Sequence, residues 1–142
     1  MSLDFSALGN AIGQLEKSLV YAHSDISLKD AGLREQIRNS VIQCFEFTYE
    51  LSHKMLKRYL EETVASPEEI DFSTFQNLIR MGNERGLLRS DWSTWRTYRQ
   101  ARTDSSHTYD EEKAESVFEV AHDFFEEARH LNRELTGQSA KE

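Results

Sequence analysis

The sequence is poor in the residues that form tight turns and cross-links: 142 residues include one Pro, six Gly and one Cys. An all-β fold needs many tight turns, so it is not expected. The lone Cys44 excludes a disulfide within the chain and supplies no cysteine-based metal motif. No apolar run approaches the length of a membrane span, and the polar N-terminal segment is unlike a signal peptide. We therefore expect a cytoplasmic protein without membrane association.

Charge is abundant and unevenly placed. The chain carries 17 Lys and Arg against 25 Asp and Glu, a formal net charge of −8, which argues against indiscriminate binding of nucleic acid. Between Arg80 and Arg102, however, six arginines stand against two acidic residues, and eleven acidic residues follow from Asp104 onward. A basic patch on an acidic domain suits a phosphate-bearing partner better than a membrane, unless these arginines only solvate helix faces.

Apolar residues recur at alternating steps of three and four, the spacing of amphipathic helices. The length suits a single domain over residues 1–142, with a tail predicted to be disordered from about residue 137. We predict an all-α fold, an antiparallel up-and-down four-helix bundle with an additional short helix. The predicted helices cover about 5–22, 33–64, 72–85, 92–102, and the segment after Thr108 as far as Leu135, with a break at 24–30. The core-facing stripe predicted for the first helix consists of Phe5, Leu8, Ile12, Leu15, Leu19 and Ala22. The stripe predicted for the last helix consists of Ala114, Val117, Phe118, Ala121, Phe124, Phe125, Ala128, Leu131 and Leu135.

The stretch "RTDSSHTYDEE" connects the fourth predicted helix to the last. Arg102 falls one turn beyond Tyr98, on the side that faces the core. A guanidinium can hold a phosphate with two hydrogen bonds, His107 can carry a proton near neutral pH, and the Tyr109 phenol can accept a transferred group. Thr108 and Glu111 have the spacing of a capping box, which would fix the start of the last helix and Tyr109 with it.

A purely structural role for this stretch is the alternative. An arginine at a helix C-terminus complements the helix dipole, and a histidine in a loop often has no further role. Acidic residues crowd the same segment and could satisfy Arg102 internally, which would leave the loop as a brace that binds nothing. Those residues are Asp104, Asp110, Glu111 and Glu112.

The second predicted helix carries Glu46, Glu50 and Lys54 at steps of four, so one face presents all three. They could form an exposed charge ladder, or they could line a groove that the fourth helix covers. His53 could join this face or point to solvent. The full predicted groove consists of Glu46, Tyr49, Glu50, Lys54, Trp95, Arg102 and His107.

Other patterns are weaker. His122, Glu126 and His130 lie at steps of four on the last helix, but no fourth ligand is evident, so we predict no metal site. There is no glycine-rich phosphate loop and no Gly-x-Ser-x-Gly motif. The two-aspartate signature of a nucleotidyltransferase is absent too, so the chain is not expected to transfer nucleotides alone and is predicted to have no intrinsic cofactor.

The segment "RTDSSHTYD" resembles the Arg-x4-His-x-Tyr motif of the HEPN superfamily of small helical proteins. "VIQCFEFTYELSHKMLKRYL" resembles the second helix of one HEPN branch, the nucleotidyltransferase substrate-binding proteins, and the resemblance extends from about Leu15 to Leu135. Members of this branch are helical bundles, commonly dimeric, similar to the C-terminal domain of kanamycin nucleotidyltransferase. The resemblance implies a separately encoded minimal nucleotidyltransferase as partner, which would bind ATP and a divalent metal.

Two functions follow from the resemblance. The first is a subunit, not catalytic alone, that binds substrate or nucleotide for the partner. The second is a metal-independent ribonuclease toxin that acts on RNA through Arg102 and His107 and is silenced by AMP transfer to Tyr109. The family often has Asn directly after the arginine, where this chain has Thr103, and a threonine hydroxyl only partly reproduces an amide. A third, structural interpretation is a bundle whose only task is to dimerise.

Trp92, Trp95 and Tyr98 give a short helix more aromatic surface than a small bundle easily buries. We therefore predict a homodimer, or a heterotetramer with the nucleotidyltransferase. Its two-fold interface would lie near the segment from Arg102 to Tyr109. The alternative is that both tryptophans fill the monomer's own core.

Overall fold

The computed structural model describes residues 3–71 and 74–141, and all of the regular structure in these ranges is helical. The prediction of an all-α fold is confirmed. None of the described helices is both long and apolar enough to cross a membrane. The helices are α1 (Ser6–Ala22), α2 (Asp25–Lys29), α3 (Ala31–Thr63), α4 (Pro67–Asp71), α5 (Phe75–Glu84), α6 (Trp92–Asp104) and α7 (Glu111–Ala140), with a 3₁₀ turn at Ser105–His107 between α6 and α7.

Contacts between the four longest helices show an up-and-down bundle. Thr48 of α3 donates to the Ala11 carbonyl of α1, and Ser18 of α1 lies against Ser40, so α1 and α3 are antiparallel. Trp95 of α6 packs on Phe124 of α7. The N–H of Arg89, which precedes α6, donates to Glu127, which follows Phe124 in α7, so α6 and α7 are antiparallel as well. Each long helix thus reverses the direction of the one before it.

The predicted apolar stripes form the core. The stripe of α1 from Leu8 to Ala22 is buried, while Phe5 is half-buried just before the helix. α3 buries a broad face because it packs against α1 on one side and α7 on the other. α7 is buried along the predicted stripe, at Ala114, Val117, Ala121, Phe124, Phe125, Ala128, Leu131 and Leu135.

Several predicted boundaries are wrong. The break predicted at 24–30 contains the helix α2, because the Ser24 hydroxyl accepts the Ser27 N–H at its start. The third predicted helix starts later, at Phe75, where Thr74 is the N-cap; the predicted start at Phe72 lies outside the described residues. The tail predicted to be disordered from about 137 is helical to Ala140. There the Gln138 amide donates to the Arg85 carbonyl at 3.0 Å and ties the end of α7 to the rest of the fold.

The turn after α5 directs the chain into α6. Gly86 has φ 73°, and the Gly86 and Leu87 N–H groups donate to the Asn83 and Gly82 carbonyls, an arrangement that requires the left-handed backbone glycine favours. The buried Glu127 of α7 then accepts the Arg89 N–H at 2.7 Å. This bond holds the loop against α7 just before α6 begins, and so helps to position α6 and its residue Arg102.

Candidate functional site

The corner between α6 and α7 is built from the C-terminal turn of α6, the 3₁₀ turn and the N-cap of α7. Arg102 lies in the last turn of α6, and Ser105 and His107 belong to the 3₁₀ turn. The Ser105 hydroxyl donates to the Arg102 carbonyl at 2.6 Å and accepts from Arg102 Nη1 at 3.1 Å. Ser105 thus links the arginine to the turn that carries the histidine.

The charge of Arg102 is met by two carboxylates of α3. Its guanidinium forms an ion pair with Glu46 at 3.2 Å and a second, hydrogen-bonded pair with Glu50. The Arg102 side chain remains 27% exposed and Glu50 is more exposed still. Arg102 is therefore an ordered cation at the surface, and an incoming phosphate would compete with carboxylates that water already solvates.

The acidic residues near Arg102 in sequence are not the residues that pair with it. Glu111 bonds to Arg38 of α3, and Asp110 caps α7. Asp104 accepts from Gln100 on its own helix. The partners of Arg102 belong to α3, because the arginine side chain is long enough to contact the neighbouring helix.

The capping-box prediction is wrong. The N-cap of α7 is Asp110, whose carboxylate accepts the N–H groups of Glu112 and Lys113 at 3.0 and 3.2 Å. A carboxylate at the N-cap also favours the positive end of the helix dipole, so it prevails over the Thr108 hydroxyl. Tyr109 consequently lies before the helix, not in its first turn.

His107 and Tyr109 form a pair at the surface. The phenol oxygen lies 2.9 Å from His107 Nδ1, and the two rings are perpendicular with centroids 5.6 Å apart. Tyr109 is 83% exposed, so its hydroxyl can be reached by another protein. When the phenol donates to Nδ1, the histidine is the nearest acceptor for the phenolic proton.

The other residues of the predicted groove separate into two environments. Tyr49 and Trp95 are buried side chains of the aromatic core, with ring centroids 6.3 Å apart. Burial raises the pKa of Tyr49 to about 12, so its phenol stays protonated at neutral pH. Lys54 is exposed beside Glu50 at a surface cavity of about 470 Å³. The structure therefore brings Glu46, Glu50 and Arg102 together at the surface and buries the two aromatic residues in the core.

His53 joins the aromatic cluster instead of facing solvent. Its ring lies 4.8 Å from the Phe75 centroid in an edge-to-face arrangement. Burial, with the nearby Lys57 and Arg99 charges, lowers the pKa of His53, so the neutral form is favoured.

Comparisons with known proteins identify the family. Residues 3–137 match the family model described as nucleotidyltransferase substrate binding protein like. The chain belongs to this family. A relative from Haemophilus influenzae, named "Probable ribonuclease HepT", is 33% identical over 135 residues, which cover 94% of this chain and 92% of the relative.

A solved structure agrees with this assignment. It comes from Haemophilus influenzae, is described as revealing the fold of a substrate binding domain of a nucleotidyltransferase, and matches with a TM-score of 0.87. The two chains are 32% identical over 94% of this chain and 99% of the other. The family resemblance inferred from the sequence is therefore confirmed.

The sequence did not reveal two contacts near the ends of the bundle. The buried Arg38 bonds to Glu111 and Glu115, which joins α3 to the start of α7. His122, considered above as a metal ligand, lies 2.8 Å from His23, Nε2 to Nε2. Within the described residues no three His, Cys, Asp or Glu side chains cluster as a metal site would require. In the sequence, the contact made by Arg38 could have been recognised only from the position of this cation on the core-facing side of a predicted helix.

Two of the three aromatic residues on which the homodimer prediction depends are buried within the monomer. Trp95 and Tyr98 are 1% and 2% exposed, so the monomer's own core accommodates them, and only Trp92 is half-buried. The large apolar side chains that remain exposed lie elsewhere, among them Tyr21, Ile26 and Phe47. The homodimer stays a prediction.

Proposed function

We propose that this chain is the substrate- or nucleotide-binding subunit of a separately encoded minimal nucleotidyltransferase. The main supporting observation is Arg102, an ordered, part-exposed guanidinium at the same α6–α7 corner as an accessible histidine–tyrosine pair, in a chain of the nucleotidyltransferase substrate-binding family. In this arrangement Arg102 binds the phosphate of the ligand, and the partner supplies the catalytic carboxylates, ATP and the divalent metal.

The carboxylates around Arg102 suit reversible binding. Glu46 and Glu50 hold the guanidinium in place before a ligand arrives, which lowers the entropy lost on binding. A phosphate forms a bidentate, charge-assisted contact with arginine and displaces the more exposed Glu50 into water. In either case the arginine keeps an anionic partner.

Binding to the partner and to nucleotide tests this function. Purified chain is mixed with the nucleotidyltransferase encoded nearby, and complex mass and nucleotide affinity are measured by light scattering and calorimetry. We expect a heterotetramer whose nucleotide affinity falls about tenfold in Arg102→Ala. Arg129→Ala is the matched control, because Arg129 is also exposed and paired with one glutamate, Glu126, but lies away from the corner. Failure to form any complex would refute the proposal.

The second candidate function is a ribonuclease toxin, which the 33% identity to "Probable ribonuclease HepT" favours. His107 would take the proton of an RNA 2′-hydroxyl as that oxygen attacks the adjacent phosphorus, and the 5′-oxygen would leave. Arg102 would stabilise the charge that develops on the phosphate. The Thr103 hydroxyl bonds to the Arg99 carbonyl at 3.3 Å, so it is engaged within α6 and not in the role of the usual asparagine. RNA cleavage that is lost in Arg102→Ala and kept in Arg129→Ala would support this function.

In the toxin function, Tyr109 accepts AMP. Its phenol oxygen attacks the α-phosphorus of ATP, pyrophosphate leaves, and His107 Nδ1 at 2.9 Å accepts the phenolic proton. The new phosphodiester has no O–H to donate to His107 and adds negative charge to the corner that contains Arg102. Intact mass after incubation with the partner, ATP and a divalent metal should show added AMP, absent in Tyr109→Phe and slowed in His107→Ala. An unchanged mass would contradict this step.

A further inference from the structure

A second cavity lies between α5 and the start of α6, about 15 Å along α6 from Arg102. Its volume is about 450 Å³, within the range of small-molecule pockets. Trp92, Asp91, Asn77, Asn83 and Arg80 line it, a combination of one aromatic ring with amide and charged groups. We call it the α5–α6 cavity.

The polar side of the α5–α6 cavity is held in place by hydrogen bonds. Arg80 Nε and Nη2 donate to the Asn77 amide oxygen at 3.0 and 2.6 Å, and Arg80 Nη1 pairs with Glu84 at 2.5 Å. The Asn83 amide donates to the Ile79 carbonyl at 3.1 Å. These bonds orient the side chains before any ligand binds.

Trp92 supplies the aromatic side. Its indole is half-buried, with its centroid 5.8 Å from that of Phe75. Asp91 immediately precedes α6 at the N-cap, yet its side chain makes no capping hydrogen bond and is exposed at the cavity. Asp91 therefore offers a free hydrogen-bond acceptor there and disfavours a phosphate in the same place. A flat heterocycle with N–H donors on its edge fits both groups.

A cation lies next to the same aromatic cluster. The Arg99 guanidinium carbon is 5.3 Å from the Phe75 centroid, and Phe75 is the ring that Trp92 contacts. At 100° per residue, Trp92, Arg99 and Arg102 lie within a quarter turn of one face of α6. Along this face of α6, the Trp92 ring is followed by two arginines, Arg99 and Arg102.

We propose that the α5–α6 cavity binds the base of a nucleotide against Trp92 and that Arg99 binds its phosphate, with Arg102 available for the next phosphate along. The inference rests on the proposed function and deepens it, because it names the substrate class and adds a base subsite to the Arg102 corner. The negative charge of Asp91 determines the orientation of the nucleotide: the base lies near Asp91 and the phosphate near Arg99.

Calorimetric titration of the full chain with a nucleoside monophosphate, the matching nucleoside, inorganic phosphate and a short single-stranded oligoribonucleotide tests the proposal. We expect Trp92→Ala to weaken monophosphate binding about tenfold and Trp92→Phe to retain it, because stacking needs only a ring. Arg99→Gln should weaken the monophosphate but not the nucleoside. Arg96→Gln is the matched control, because Arg96 is exposed and lines a different cavity, between α6 and α7, with Gln100 and Ser116. Far-UV circular dichroism confirms that each variant folds.

The outcomes separate the proposals. If only the oligoribonucleotide binds, and binds through Trp92, the base belongs to an RNA strand and not to a free nucleotide. If nucleotide binding depends on Arg102 but not on Trp92 or Arg99, the cavity proposal fails and the proposed function stands. If neither nucleotide nor oligoribonucleotide binds, the cavity proposal is refuted, whereas complex formation with the nucleotidyltransferase still decides the proposed function.

Discussion

Two arginines in this bundle have the same pattern of partners and different surroundings. Arg38 of α3 pairs with Glu111 and Glu115 of α7, and Arg102 of α6 pairs with Glu46 and Glu50 of α3. In each case one guanidinium bridges two glutamates that lie one helical turn apart on a neighbouring helix. The Arg38 side chain is 7% exposed, whereas that of Arg102 is 27% exposed.

The difference in burial separates a brace from a candidate site. Arg38 lies within the α3–α7 contact, where solvent and ligands have little access to the guanidinium. Arg102 lies at the end of a helix and bonds to Ser105, at the corner that also carries the exposed His107–Tyr109 pair. The same ion-pair pattern therefore stabilises the fold at one place and leaves a cation accessible at the other.

The largest expected effect on stability is at Arg38. Arg38→Ala removes a buried side chain and its charge-assisted hydrogen bonds, and should lower the free energy of unfolding by about 2 kcal/mol. Urea denaturation followed by circular dichroism measures this. Arg38→Met, which keeps the apolar stem, should recover part of the loss. Equal losses in Arg38→Ala and Arg102→Ala would remove the distinction between brace and site.

Arg102→Ala should lower the free energy of unfolding by less than about 1 kcal/mol, since its ion pairs are partly solvated. The same variant should lose phosphate-bearing ligands. Urea denaturation and calorimetric titration on one protein preparation measure both effects. A large loss of stability with unchanged ligand binding would make Arg102 a brace as well.

Acid should break the Arg38–Glu111 ion pair of the brace. The hydrogen bond from Arg38 lowers the pKa of Glu111 below its ordinary value of 4.5. Because the folded pKa is the lower one, this contribution to stability is complete above pH 4.5 and is lost as pH falls through the folded pKa. We expect the stability difference between wild type and Glu111→Gln to shrink below pH 4.5. A difference that stays constant from pH 7 to pH 3 would argue against the pairing.

The smallest expected effect is the titration of His53, on the Arg102 side of the molecule. Burial is the main reason that its pKa lies below the ordinary histidine value of 6.5. The unfolded chain then takes up the proton first, so stability decreases as pH falls below 6.5 towards the folded pKa. Compared with wild type, His53→Gln should flatten this slope in melting temperatures measured between pH 7.5 and 5. Equal slopes in wild type and His53→Gln would refute the assignment.

Helix content and the apolar stripes followed from the sequence because each depends on local periodicity. The stripes of α1 and α7 were predicted nearly residue by residue, and the motif from Arg102 to Tyr109 was located at the corner where it lies. The α7 N-cap was missed because Thr108 and Asp110 both carry capping side chains, and spacing alone does not rank them. The helical end of α7 was missed because Gln138 is tied by a residue 53 positions away.

The sequence by itself determined an acidic all-α bundle with an arginine, a histidine and a phenol at one corner, because helical periodicity and short connections are local properties. Only the tertiary structure decided which carboxylates meet which arginine. Arg102 pairs with Glu46 and Glu50 from a distant part of the chain, while Glu111, nearer in sequence, turns to Arg38. The physical reason is that long side chains at a helix surface reach across the bundle, and burial then sets how accessible each cation remains.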